Sequence, residues 1–174
     1  MGIITSDKTP QQALEQLQKI PSYGSTDFVK QVTTKAPYQW EAELAEANPT
    51  SLCKIVVLDC GLKYSILRMM RGHGCQMTVV PCNMSANEIL DLKPDGIILS
   101  PGPGNPELLD YIVDTVKKLV GKKPIMGICM GNQLIARAFG ARTFKLKFGH
   151  LGANHPVRDL SDGRIHITSQ NHGY

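Results

Sequence analysis

The chain has 174 residues, a formal net charge of +4 at pH 7, and a composition of 42% hydrophobic and 20% charged residues. Its length suffices for one ordinary domain with a hydrophobic core, and its composition is that of a soluble globular protein. The basic residues are scattered and not interleaved with aromatic residues, which argues against nucleic-acid binding. No apolar run approaches the roughly 20 residues of a membrane-spanning helix, which argues against a membrane protein.

The five cysteines include no Cys-x-x-Cys pair and stand at positions 53, 60, 75, 82 and 129. An odd number at these spacings argues against a disulfide framework and against a zinc ribbon, so we expect reduced thiols and no metal site. Reduced thiols and the absence of a signal-peptide pattern at the N-terminus favour a cytoplasmic location.

Residues 1–50 differ in character from the rest of the chain. Thr9 followed by Pro10 predicts the start of a short helix. The remainder is rich in turn residues and ends in the linker-like run 48–51. A segment this short and irregular does not build its own core. We interpret residues 1–50 as the tail of an N-terminal domain plus a linker, and residues 51–174 as a second domain.

From residue 52 onward, apolar strands alternate with amphipathic helices. Strands are predicted at 54–59, 77–80, 95–100 and 124–128, and helices at 63–71, from Ser85, from Asn105 to about 120, and at 130–139. This alternation predicts an α/β fold with a doubly wound, mostly parallel sheet. Short strands at 142–148, 156–159 and 165–169 predict an antiparallel extension. Because the chain stops on a turn-like Asn-His-Gly, we expect the domain to be incomplete at its C-terminus.

The run Gly127-Ile128-Cys129-Met130-Gly131 joins the fourth strand to its helix. It has the form of a nucleophile elbow, a sharp strand-to-helix turn that lifts a nucleophile out of the sheet. Glycine fits positions where a side chain would collide in so tight a turn, and the helix N-terminus favours the thiolate form of Cys129. A buried core cysteine is the alternative interpretation of this pattern taken alone.

The loop Ser100-Pro101-Gly102-Pro103-Gly104 follows the third strand. In parallel sheets the carboxyl ends of the strands share one edge, so we expect this loop to face Cys129. A loop N–H and the amide of Met130 can then donate hydrogen bonds to a developing oxyanion. A rigid connecting turn is the alternative.

A cysteine nucleophile needs a base, and the sequence offers no convincing one. None of the five histidines is followed by an acidic residue in a His-x-Glu arrangement. His150, His155 and His172 adjoin turns and could line a cleft, whereas His73 and His166 fit solvated positions.

The elbow through Gln133 and the loop through Pro106 resemble class I glutamine amidotransferases. Segments 33–38, 148–157 and 169–174 resemble the small, glutamine-hydrolysing chains of carbamoyl phosphate synthetases, and the resemblance covers essentially the whole chain. It implies a flavodoxin-like fold. It also implies that the Cys129 thiolate attacks the side-chain amide of L-glutamine, forms a glutamyl thioester and releases ammonia.

The resemblance also implies glutamine-contacting residues in the loop, the elbow and the last turn of the chain: Gly102, Gly104, Met130, Gln133, Asn171, Gly173 and Tyr174. It implies a large synthetase subunit as the partner in a heterodimer. That subunit would bind ATP and magnesium and make carbamoyl phosphate from bicarbonate for arginine or pyrimidine synthesis. No cofactor is expected in this chain, which agrees with the lack of a Gly-x-x-x-x-Gly-Lys loop.

Three differences from the family pattern stand out. Asn132 stands where the family usually has His. The family's His-Pro-Glu segment, which carries the base and its acid, would fall beyond Tyr174, and the early N-terminal domain with a glutamine-contacting serine is missing. The chain therefore reads as an internal piece of a longer protein, and we expect negligible glutaminase turnover from it alone.

Two other functions stay open at this point. The glutaminases of anthranilate and aminodeoxychorismate synthesis share the elbow and the loop, although segment 148–157 argues against them. A non-catalytic assembly module would keep the fold without the chemistry, but the presence of Cys129 and Gln133 argues against this for the parent protein.

Overall fold

The computed structural model describes residues 2–40 and 53–174. Helix α1 (Pro10–Lys19) starts where predicted, with Thr9 in a reciprocal capping box with Gln12. A 3₁₀ turn (Tyr23–Ser25), helix α2 (Val29–Val32) and strand β1 (Tyr38–Gln39) follow. The predicted linker at 48–51 and the predicted domain boundary after residue 50 lie outside the described residues.

The second part of the chain alternates between strands and helices, as predicted. Its elements are β2 (Cys53–Asp59), α3 (Tyr64–Gly72), β3 (Cys75–Pro81), α4 (Ala86–Asp91), β4 (Gly96–Leu99), α5 (Asp110–Leu119), β5 (Ile125–Gly127) and α6 (Met130–Ala138). The helix expected from Asn105 begins later, at Asp110. The Asn105 side chain accepts from Glu107 N and so caps a separate 3₁₀ turn at Pro106–Leu108.

Within the described residues, the main sheet has five strands in the order β1-β3-β2-β4-β5. Strand β1 pairs antiparallel with β3, and the other pairs are parallel. The prediction of a doubly wound, mostly parallel α/β sheet is therefore confirmed.

Both faces of the sheet are covered, because successive side chains of β2 point to opposite sides. Val56 and Leu58 pack in the cluster that includes helices α4, α5 and α6, whereas Val57 packs with Leu67 of α3 on the other face. Val29 of α2 is fully buried in the first cluster. The N-terminal segment therefore shares the core of the α/β domain.

The region after α6 differs from the prediction in one element. Residues 142–148 do not form a strand, so that prediction is wrong. The aromatic side chains of this stretch are not buried in a core, since Phe144 is 71% and Phe148 83% exposed. The antiparallel extension is a separate two-stranded sheet of β6 (His150–Arg158) and β7 (Ile165–His172), both longer than predicted.

Across residues 2–40 and 53–174, no helix combines the length and the apolar character needed to cross a membrane.

Candidate active site

The turn between β5 and α6 has the geometry of a nucleophile elbow. Cys129 occupies the N-cap position of α6 with φ 52° and ψ −110°. A positive φ is uncommon for a residue with a Cβ, and such strain costs about 1–3 kcal/mol. Strained residues of this kind cluster at functional sites. The sharp strand-to-helix turn is thus present where the sequence pattern predicted it.

The two glycines that flank the cysteine are required by close backbone packing. A Cβ on Gly127 would lie 2.4 Å from the Gly131 carbonyl carbon. A Cβ on Gly131 would lie 2.2 Å from the Leu99 carbonyl oxygen, at the end of β4. Side chains at either position would push the start of α6 away from the sheet, which confirms the steric reason for both glycines.

The Cys129 side chain is exposed, in contrast to the fully buried Cys60. Its Sγ lies 3.8 Å from the carbonyl oxygen of Asn171, in β7. The alternative of a core cysteine is therefore excluded by the structure.

The glycine-rich loop lies at the same edge of the sheet as the cysteine, and a buried serine fixes its first residues. Ser100 is fully buried, and its Oγ accepts from Cys60 N at 2.8 Å and donates to Pro101 O at 2.8 Å. The backbone of Gly102 packs so closely on Cys60 that a Cβ would lie 2.4 Å from the Cys60 carbonyl oxygen. The loop therefore continues from the end of β4 and packs against the end of β2.

A cavity of about 400 Å³ opens between the elbow, the glycine-rich loop and β7. Its wall brings together every residue that the sequence assigned to the site: Gly102, Gly104, Cys129, Met130, Gln133, Asn171, Gly173 and Tyr174. Gln133 is oriented by its Nε2, which donates to the carbonyl oxygen of Tyr174 at 2.6 Å. This bond leaves Gln133 Oε1 to accept from a ligand.

A second, larger cavity of about 1050 Å³ also includes Cys129 in its wall. His150 and His172 line it and both bond to the same acceptor, Gln170 Oε1, at 3.0 and 2.7 Å. The His155 ring packs 4.8 Å from the His150 ring between centroids. Within residues 2–40 and 53–174, no histidine nitrogen hydrogen-bonds Cys129 Sγ.

The wall of the smaller cavity also includes residues that sequence reasoning did not assign to the site, among them Tyr23 and Lys145. Tyr23 comes from the N-terminal segment, and Lys145 comes from the stretch before β6. The Tyr23 hydroxyl accepts a hydrogen bond of 3.0 Å from the backbone N–H of Gly104. No local sequence signal predicts this contact, because 81 positions separate its two residues.

The phenol of Tyr174 is neutral at physiological pH. Its pKa is raised mainly by burial, and further by its proximity to Tyr23 and Glu107. It therefore presents a hydroxyl to the cavity wall. Among the described residues, no group of three or more His, Cys, Asp and Glu side chains is arranged to hold a metal ion.

Comparison with known proteins gives consistent matches. The model of the family "Glutamine amidotransferase class-I" matches residues 56–174. A carbamoyl phosphate synthase small chain, chloroplastic, from Oryza sativa subsp. japonica is 44% identical over 182 residues, which cover 100% of this chain and 41% of that protein. The carbamoyl phosphate synthase small chain of Syntrophotalea carbinolica is 44% identical, covering 99% of this chain and 48% of its own length.

A third relative, the carbamoyl phosphate synthase small chain of Methanopyrus kandleri, is 46% identical over 164 residues, which cover 94% of this chain and 43% of that protein. The chain thus spans less than half the length of these curated relatives. The family match covers most of β2, strands β3 to β5, the elbow, the glycine-rich loop and β7. Sequence, fold and site geometry lead to one conclusion: the chain belongs to the class-I glutamine amidotransferase family.

Proposed function

We propose that this chain carries the glutamine-hydrolysing site of a carbamoyl phosphate synthase. The observation that carries the proposal is the exposed Cys129 on a strained elbow, facing a cavity that the glycine-rich loop and β7 close. The names of the relatives, which are small chains of that enzyme, support this particular amidotransferase.

The proposed reaction has two steps. The Cys129 thiolate attacks the side-chain amide carbon of glutamine, and the resulting oxyanion accepts from the Met130 N–H at the start of α6 and from the glycine-rich loop. Collapse of the intermediate expels ammonia, with its proton supplied by a general acid, and leaves a glutamyl thioester. Water then hydrolyses the thioester to glutamate and the free thiol.

Substrate orientation is assigned to the cavity wall. Gln133 Oε1 and the backbone carbonyl of Asn171 are acceptors for the substrate's N–H groups, and the bond from one of the two Gln133 N–H donors to Tyr174 O fixes the orientation of the amide. The proposal assigns no base within the described residues, since the hydrogen bond of Cys129 Sγ there is to a carbonyl oxygen. We therefore expect residues 1–174 on their own to hydrolyse glutamine negligibly.

The partner and the setting are part of the same proposal. A large synthetase chain would receive the ammonia in a heterodimer, bind ATP and magnesium, and join the ammonia to bicarbonate for arginine or pyrimidine synthesis. This chain would need no cofactor of its own. Its free cysteines fit a reducing, cytoplasmic compartment.

The test uses the complete protein with its partner and the Cys129→Ser variant. Glutamine-dependent carbamoyl phosphate synthesis should be lost, and ammonia-dependent synthesis should stay at the wild-type rate. Cys75→Ser, a thiol replacement in β3, is the matched control and should keep both activities. Equal glutamine-dependent rates in wild type and Cys129→Ser would overturn the proposal. Copurification with a chorismate-using enzyme in place of an ATP-dependent synthetase would overturn the assigned partner.

A further inference from the structure

Tyr23 is held rigidly in the wall of the cavity by contacts on two sides. Its hydroxyl oxygen accepts from Gly104 N at 3.0 Å, and its ring stacks on Phe28 with 5.0 Å between centroids. The adjacent Gly24 carbonyl accepts from the Asn105 side chain at 3.2 Å. The N-terminal segment is therefore attached directly to the glycine-rich loop.

The hydroxyl of Tyr23 keeps one unused hydrogen-bonding function. A phenol both accepts and donates, and Gly104 uses only the accepting oxygen. Within residues 2–40 and 53–174, the Tyr23 O–H has no acceptor. Because Tyr23 lines the cavity, this donor is available to a bound ligand.

A cation lies beside the same phenol. Lys145 Nζ is 5.7 Å from the centroid of the Tyr23 ring and 5.8 Å from that of the Tyr174 ring. The ion pairs found among the described residues do not include Lys145. Two aromatic faces thus hold an ammonium group whose charge no carboxylate neutralises.

The formally charged side chains that line the smaller cavity within the described residues are all positive. Lys145 and Lys147 line the cavity, and among the described residues no Asp or Glu does so. A concave site lined by positive charge attracts anions. A phenolic O–H and an ammonium on one wall are donors suited to a carboxylate, because charge-assisted hydrogen bonds are the stronger kind.

We propose that Tyr23 and Lys145 bind the α-carboxylate of the amino-acid substrate and make the site specific for free glutamine. This inference rests on the proposed function and adds to it a recognition element from the N-terminal segment. Glutamine with a neutral or peptide-linked α-carboxyl would lose the attraction to Lys145 and would keep at most a neutral hydrogen bond from the Tyr23 hydroxyl. The two residues are specificity residues, distant in sequence from the elbow.

The test compares two substrates in the complete protein with its partner. L-glutamine is compared with L-glutamine α-amide, in which a neutral carboxamide of similar size replaces the carboxylate. Tyr23→Phe removes the O–H and keeps the ring, and it should raise the KM for glutamine about tenfold or more. Lys145→Met should raise it about threefold to fivefold, because Lys145 is exposed. Both variants should raise the KM for the α-amide by a clearly smaller factor than the KM for glutamine, because the neutral carboxamide forms only an uncharged hydrogen bond with Tyr23 and no ion pair with Lys145.

Lys117→Met is the matched control for the loss of one positive charge, since Lys117 lies on α5 and pairs with Asp114. It should leave both KM values unchanged. If Tyr23 acted only by holding the Gly104 loop, Tyr23→Phe would impair glutamine and its α-amide by the same factor, and that result would overturn the inference. Wild-type protein without Cys129-dependent ammonia release would instead overturn the proposed function and the inference together.

Discussion

The replacement of Gly131 by alanine tests how closely α6 packs on the sheet. The added Cβ would lie 2.2 Å from the Leu99 carbonyl oxygen and 2.7 Å from the Leu99 carbonyl carbon. Non-bonded atoms need about 3.5 Å, so the start of α6 has to move away from β4 by about 1 Å. The same Leu99 oxygen accepts from Ile128 N at 3.1 Å, and this bond would lengthen or break.

The expected loss of stability follows from these contacts. Overpacking costs about 1–3 kcal/mol and a weakened backbone hydrogen bond about 1 kcal/mol, whereas alanine in place of glycine returns up to about 1 kcal/mol of helix propensity. With the full gain in helix propensity the net loss is about 1–3 kcal/mol, which lowers the Tm of a chain of this size by roughly 2–12 °C. Under the proposed function, a 1 Å displacement of Cys129 should lower the glutamine-dependent turnover of the complete protein about a hundredfold.

Thermal unfolding followed by circular dichroism measures the stability difference. Gly72→Ala is the matched control, because Gly72 ends helix α3 and a Cβ there meets no atom within 4 Å. Its Tm should be equal to that of the wild type or slightly higher. A Gly131→Ala chain that unfolds within about 1 °C of the Gly72→Ala chain would refute the close approach of α6 to β4.

Three further predictions concern the core and the thiols. Ser100→Ala removes the acceptor of the buried Cys60 N–H and should lower the free energy of unfolding by about 1–3 kcal/mol in urea titrations; an unchanged midpoint would contradict that bond. Leu134 is fully buried, and Leu134→Ala should lower the free energy of unfolding by about 2–5 kcal/mol in the same titrations. Leu14 is exposed, and Leu14→Ala should change the free energy of unfolding by less than about 0.5 kcal/mol. At neutral pH, iodoacetamide should modify exposed Cys129 but not native Cys60, because burial raises the Cys60 pKa and keeps its thiol protonated; mass spectrometry showing equal labelling would contradict this.

The elbow could be predicted from the sequence because its geometry is set by sterics within a few residues. A short apolar strand, small residues at 127 and 131 and a following helix leave little room for another turn. The placement of the glycine-rich loop beside Cys129 followed from topology, since parallel strands end at one edge of a sheet. Both features could be predicted because a local sequence pattern was combined with a general rule of packing.

The region from 142 to 172 shows where local pattern fails. The alternation in 142–148 predicted a strand, but Phe144 and Phe148 point to solvent because no layer of the described structure covers them. The two other predicted strands do form, as β6 and β7, because their residues pair with each other across a turn. Whether an apolar alternation becomes a strand depends on a partner strand and a covering layer, which the local sequence does not show.

The sequence by itself determined the α/β layering and the position of Cys129 at the elbow, because apolar periodicity and small residues at fixed spacing act over short distances. The family followed from the resemblance of the elbow and the glycine-rich loop to known motifs. Only the tertiary structure decided that Val29 enters the domain core and that Tyr23 and Lys145 complete the cavity wall. These contacts join residues far apart in the chain. They depend on where the backbone returns after each crossover, and no local periodicity encodes that path.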